Sequence, residues 1–203
     1  MKLPNELQCL KYFEEYKVPD NIFQHCLLVR KISIFLANEL KKSGMDINIE
    51  LVECASLLHD LFKMASLKTL ESNQFYQNNF TEEEVEMWKK LKETYPEKHE
   101  NEIAYEIFKE EYPELALALK NVSDPHKRDK TWEEMVSQYG DWRVFQTKIV
   151  SIPERLAYLK ERYPRPKENW DNYSQFMLLM EKFIFSHLNF TPEKVAEMME
   201  NGK

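Results

Sequence analysis

The chain has 203 residues with 35 acidic against 28 basic side chains, a formal net charge of -7, 43% hydrophobic residues and 3 glycines. That acidity excludes broad affinity for nucleic acid or an anionic membrane surface, and no segment approaches the roughly 20 apolar residues of a membrane-spanning helix. The length suits one generous domain without staples, and scarce glycine beside 31% charged residues points to long regular elements, as in an all-α chain.

The opening stretch MKLPNELQCLKYFEE lacks an apolar core of signal-peptide length, which places the protein in the cytoplasm. Leu3 to Tyr16 reads as a short amphipathic helix with Leu3, Leu7, Leu10 and Phe13 on one stripe, ended before Pro19. Asp20 is the expected N-cap of a longer helix that stops at Gly44. Ile22, His25, Val29, Ile32 and Leu36 share a stripe of it, so His25 faces the core. Asn48 is expected to cap the next helix, which contains LVECASLLHDLFK from Leu51 to Lys63. There Val52, Ala55, His59 and Phe62 share a face and turn His59 inward, while Asp60 lies about 100° round the axis on the flank. A carboxylate at the edge of a core is costly unless it is paired, hydrogen-bonded or bound to a metal.

Residues 64–80 have mixed composition and read as a broken segment bordering a pocket. Thr81 with Glu84 forms a capping box that opens a helix to Thr94, stopped by Pro96. His99 begins the next helical stretch, and Pro113 starts PELALALKNV. The basic stretch SDPHKRDK, residues 123–130, is a loop carrying His126. Thr131 with Glu134 begins a helix to Tyr139, Gly140 interrupts or tightly packs the chain, and Asp141 to Ile149 is expected to be helical again. Ser151 and Pro153 open PERLAYLKERY, which Pro164 and Pro166 end. Trp170 to Leu188 is strongly apolar, and Thr191 with Pro192 starts a last helix to Asn201.

No repeat or β-hairpin signal stands out. The reading is a single helical bundle over residues 1–165, with a C-terminal helical extension over 166–203 packed on it as a lid or a homodimer element. Cys9, Cys26 and Cys54 have no CxxC spacing and read as reduced packing residues. The inward histidines His25 and His59 lie on consecutive antiparallel helices and can meet across the pair, with Asp60 completing three ligands. Asp141 is the best candidate for a fourth, because Gly140 permits close approach of its backbone.

His25, then LLHDLFK ending in Lys63, then YGDWRV around Asp141 together resemble the HD-domain metal-dependent phosphohydrolases, whose pattern is H, HD and a distant D. The downstream KIVSIPERLAYLKERYP is similar to the segment after the last aspartate in bacterial and archaeal members, so the resemblance covers residues 20–163. It implies an HD-type helical bundle in which His25, His59, Asp60 and Asp141 ligate a divalent metal. Mixed imidazole and carboxylate donors suit Mn, Fe, Co, Ni or Zn more than Mg. A dication polarises a phosphoryl oxygen and lowers the pKa of water. The implied activity is therefore hydrolysis of a small phosphorylated substrate, a nucleotide foremost, with Asp60 and Lys63 as the catalytic pair.

Lys63 stands at the lysine of the HDxxK version of the motif and is implied to contact a substrate phosphate, although a solvated helix-end lysine reads the same way. His99 sits where many relatives carry a further histidine for phosphate or a second metal, and it equally suits a capping or surface role. Arg143 is a candidate for neutralising phosphate, or for pairing with a carboxylate. His126 aligns poorly with the last histidine of two-metal relatives, and His187 reads as structural. No glutamate directly follows the dyad, unlike in the family's nucleotidases and alarmone hydrolases. That departure supports a second reading, a catalytically weak module that senses a nucleotide or metal. A third is a helical interaction protein with a buried polar network and an aromatic tail, Trp170, Tyr173, Phe176, Phe183 and Phe185.

Overall fold

The computed structural model describes residues 1–67, 80–124, 127 and 129–201. His126 and most of the segment expected to border a pocket, residues 68–79, lie outside them. The described elements are α1 (Glu6–Glu15), α2 (Asp20–Lys42), α3 (Ile49–Leu58), α4 (Lys63–Ser66), α5 (Glu82–Thr94), α6 (Glu100–Phe108), α7 (Pro113–Val122) and α8 (Trp132–Trp142). A hairpin of β1 (Val144–Phe145) and β2 (Lys148–Ile149) follows, then α9 (Ile152–Arg162), α10 (Lys167–Phe185), a 3₁₀ turn over Pro192–Lys194 and α11 (Val195–Asn201). The chain is an all-α bundle, and no described helix is long and apolar enough to cross a membrane.

Local chemistry sets most boundaries. Asn48 Oδ1 accepts the Leu51 amide at 3.0 Å and starts α3. Thr81 with Glu84, Thr131 with Glu134 and Ser151 with Glu154 close reciprocal capping boxes on α5, α8 and α9. Gly44 takes φ +91° after the last turn of α2, a conformation that glycine adopts without strain.

The long α2 organises the packing because its apolar stripe serves two clusters. Ile22 and Cys26 join α1, α3, α6 and α7 in one of them. Val29, Ile32, Leu36 and Leu40 join α8, α9, α10 and α11 in the other. Burying each of these aliphatic side chains contributes about 1.5–3 kcal/mol, so α2 is held from both sides. From α10, Met177, Met180 and Ile184 enter the second cluster directly, and the Tyr139 hydroxyl donates to Glu181 at 2.6 Å. In the C-terminal tail Trp170 is buried, and Tyr173 and Phe176 pack against Trp142. Leu178, Leu179 and Phe183 of the same helix stay exposed.

Four expectations are corrected. Leu7 is 62% exposed, and Cys9 takes the buried place beside Phe13 on α1. Pro19, not Asp20, holds the N-cap position of α2; Asp20 is inside the helix, where its carboxylate accepts Gln24 Nε2 at 3.2 Å. The α3 helix ends at Leu58, so His59 caps it and Asp60 lies in the turn that follows, closed by Leu61 N–H to Leu58 O and Lys63 N–H to Asp60 O. Finally, α8 runs through Gly140 and Asp141 to Trp142, and residues 144–149 form the hairpin instead of another helix.

Gly140 stays helical because it is the contact point with α2. A Cβ there would fall 2.2 Å from Ser33 Oγ and 3.3 Å from the Val29 carbonyl. Replacing Gly140 by Val should therefore destabilise the protein by about 1–3 kcal/mol in urea denaturation through overpacking. Gly140→Ala should cost less, since the Ser33 hydroxyl can rotate away and alanine recovers about 1 kcal/mol of helix propensity.

Candidate metal centre

The seam between the two clusters collects the polar residues singled out in the sequence. The His25 ring on α2 and the His59 ring at the end of α3 lie 5.4 Å apart between centroids. One donor atom from each of His25, His59 and Asp60 falls within 4.8 Å of the others. Asp141 closes the group from α8, its Oδ1 lying 3.1 Å from His25 Nε2 and 3.8 Å from His59 Nε2. Three of the expected ligands thus form one group that could hold a metal, and Asp141 stands against both of its rings.

Both rings are held in the same way from behind. His59 Nδ1 lies 2.8 Å from the Ser56 carbonyl, one turn back on α3. His25 Nδ1 lies 3.2 Å from the carbonyl of Gln146, in the hairpin turn. A carbonyl can only accept, so each Nδ1 carries a proton and Nε2 is the ring atom that faces the centre. Gln146 sits at φ +55°, a left-handed conformation unusual for a side-chain-bearing residue, and this turn conformation sets the direction of the carbonyl.

This arrangement leaves a charge deficit. Among the described residues His59 Nε2 is buried with no hydrogen-bond partner, and it faces Asp60 Oδ2 and Asp141 Oδ1 at 3.8 Å each. Lone pairs opposed to carboxylates repel unless positive charge lies between them, supplied by a second ring proton or a divalent cation. Two imidazole nitrogens and two carboxylates on carbonyl-anchored rings fit a first-row divalent metal. Burial pushes the Cys26 thiol up.

The titration preferences show the same demand for positive charge. Burial works against ionising Asp60, yet Lys63, His59 and His25 outweigh it and hold that carboxyl down at about 2. For Asp141 burial is likewise overcome, by the His25 hydrogen bond and by Arg155, and the carboxyl sits well below the usual range. Burial lowers His25, but its bond to Asp141 raises the pKa on balance.

Lys63 is also brought to the site. Its Nζ bridges Asp60 Oδ1 at 3.2 Å and Glu100 Oε1 at 3.0 Å. Although burial opposes its charge, Asp60 and Glu100 hold it protonated well above the ordinary lysine value. His99 caps α6 at the rim, exposed, with Nε2 3.3 Å from Glu100 Oε2 and its amide bonded to Glu102.

Arg143 is not brought there. Its guanidinium donates to the Val150 carbonyl at 2.6 Å, the Tyr139 hydroxyl at 2.6 Å and the Pro192 carbonyl at 3.1 Å, tying α8 to the C-terminal helices. Helix direction alone does not reveal which arginine after Asp141 turns back; Arg155 on α9 does, with Nη2 3.5 Å from Asp141 Oδ1. Glu100 was also missed. Nearly buried and bonded to Lys63 and Ser66, it looks in sequence like any acidic residue in a first helical turn.

A family model described as HD domain matches residues 22–163. An uncharacterized protein of Methanocaldococcus jannaschii is 27% identical over 143 residues, a match spanning 70% of this chain and 78% of that relative. No solved structure matches the chain.

Adding a divalent cation such as Co²⁺ or Mn²⁺ at about 100 times its dissociation constant should stabilise the fold by about 2.7 kcal/mol, raising Tm by roughly 5–10 °C in a thermal melt. His59→Ala and Asp141→Ala should lose that rise. Protons compete for Nε2 of both rings, so the rise in wild type should grow with pH.

Proposed function

Because the chain belongs to the HD domain family, we propose that it is a metal-dependent phosphohydrolase acting on a small phosphorylated molecule, a nucleotide foremost, with Mn, Fe, Co, Ni or Zn as its cation. The observation that carries this reading is the pair of imidazoles anchored through Nδ1, whose Nε2 atoms face two ionised carboxylates. The formal charge of -7 favours a small substrate over nucleic acid or a membrane surface, and we place the protein in the cytoplasm.

A divalent cation bound by His25, His59, Asp60 and Asp141 supplies Lewis acidity toward a phosphoryl oxygen and acidifies water near neutral pH. The chain's own residues set the conditions for that chemistry. The Ser56 and Gln146 carbonyls keep the two rings in the ligating tautomer. Asp60 and Asp141 stay ionised through the working pH range. Lys63 stays protonated beside Asp60, where its ammonium can meet an incoming phosphate oxygen, and Glu100 fixes its position from the other side. His99 stands at the rim of the same cluster and is the candidate for a contact with the rest of the substrate.

The deciding experiment is phosphate release by purified protein from a panel of nucleotides and phosphomonoesters, with each divalent metal in turn. Asp60→Ala should lower turnover by at least about 100-fold while its circular dichroism stays that of wild type. Lys63→Ala should reduce kcat/KM by about 10–100-fold. Undiminished phosphate release by the Asp60 variant would remove the assignment.

A further inference from the structure

We propose that Arg155 is the substrate-phosphate clamp of this site, a role that rests on the phosphohydrolase reading above. Arg155 projects from the first turns of α9, and its Nη2 stands 3.5 Å from Asp141 Oδ1, at the outer limit of a hydrogen bond. Its Nε is buried with no hydrogen-bond partner among the described residues. The guanidinium lies 5.8 Å from the Tyr158 ring, which in turn packs on Phe145 of the hairpin at 4.4 Å. The side chain is thus oriented by an aromatic neighbour and placed beside a metal-ligand candidate, yet the surrounding protein groups leave it under-satisfied. At 14% side-chain exposure it is not sealed off either.

The charges around the seam favour this role. Lys63 is neutralised by Glu100 and shared with Asp60. Arg143 is engaged on the far side of α8 by oxygens of Tyr139, Val150 and Pro192. Two aspartates would balance one divalent cation, so among the described residues the charge left uncancelled beside the centre is that of Arg155. A planar guanidinium can bind two oxygens of a phosphate in parallel, which an ammonium cannot. The placement therefore suits a phosphate held by α9 beside Asp141.

Inorganic phosphate is the probe, titrated calorimetrically into the full chain loaded with Mn²⁺. Arg155→Met should weaken phosphate binding at least ten-fold while keeping the cation-induced rise in Tm. Arg155→Lys should weaken it several-fold, because it retains the charge without the fork, and it serves if the methionine variant fails to fold. Equal phosphate affinity in the variants would overturn the assignment, as would wild-type protein that binds no phosphate. Joint loss of phosphate binding and of the cation response would also overturn it, making Arg155 a positioning residue for Asp141. A wild type that binds phosphate through Arg155 but hydrolyses nothing would remove the phosphohydrolase reading and leave the clamp standing.

Discussion

Everything at the centre follows from two hydrogen bonds made away from it. The Ser56 and Gln146 carbonyls accept from the Nδ1 atoms of His59 and His25, and so decide which nitrogen faces inward. Nε2 of both rings therefore faces the two carboxylates, and the cluster calls for positive charge, as a second ring proton or a divalent cation. The anchors come from different levels of structure: one is the last turn of α3, the other a two-residue turn in a hairpin far along the chain.

That geometry is supported by the packing of α2. Because its upper part is buried with α1, α3 and α7 and its lower part with α8 to α11, the helix cannot shift without disturbing both clusters. The absent side chain at Gly140 lets α8 seat against Ser33, and Asp141 is the next residue. Close backbone approach and the placing of Asp141 are thus one feature. Around this core, Glu100 adds a second polar layer, holding Lys63 and accepting from Ser66, so that a lysine charge is kept beside Asp60 despite its burial.

Much of this was legible in the sequence, for identifiable reasons. His25 and His59 stood out because polar groups on apolar stripes are anomalies that helical periodicity exposes. The capping boxes at Thr81 and Thr131 were legible because their chemistry is local. The hairpin escaped because two-residue strands are too short to show alternation, and Val144 and Phe145 also fit an apolar helical face. The end of α3 escaped because the apolar period continues through Phe62 even though the backbone turns after Leu58. Arg143 was the arginine read as a phosphate contact and Arg155 escaped, because only the packing of α9 and the C-terminal helices decides which guanidinium turns inward.

The contact between His25 and Asp141 joins residues 116 positions apart. During synthesis the first imidazole leaves the ribosome long before the last carboxylate exists, and the Gln146 carbonyl that orients the ring emerges later still. A nascent chain therefore carries a scattered histidine and an HD turn with no closed coordination shell, and the full donor set assembles only when α8 and the hairpin dock. The candidate donors thus meet only once the surrounding walls are in place, in a cavity whose shape is already set.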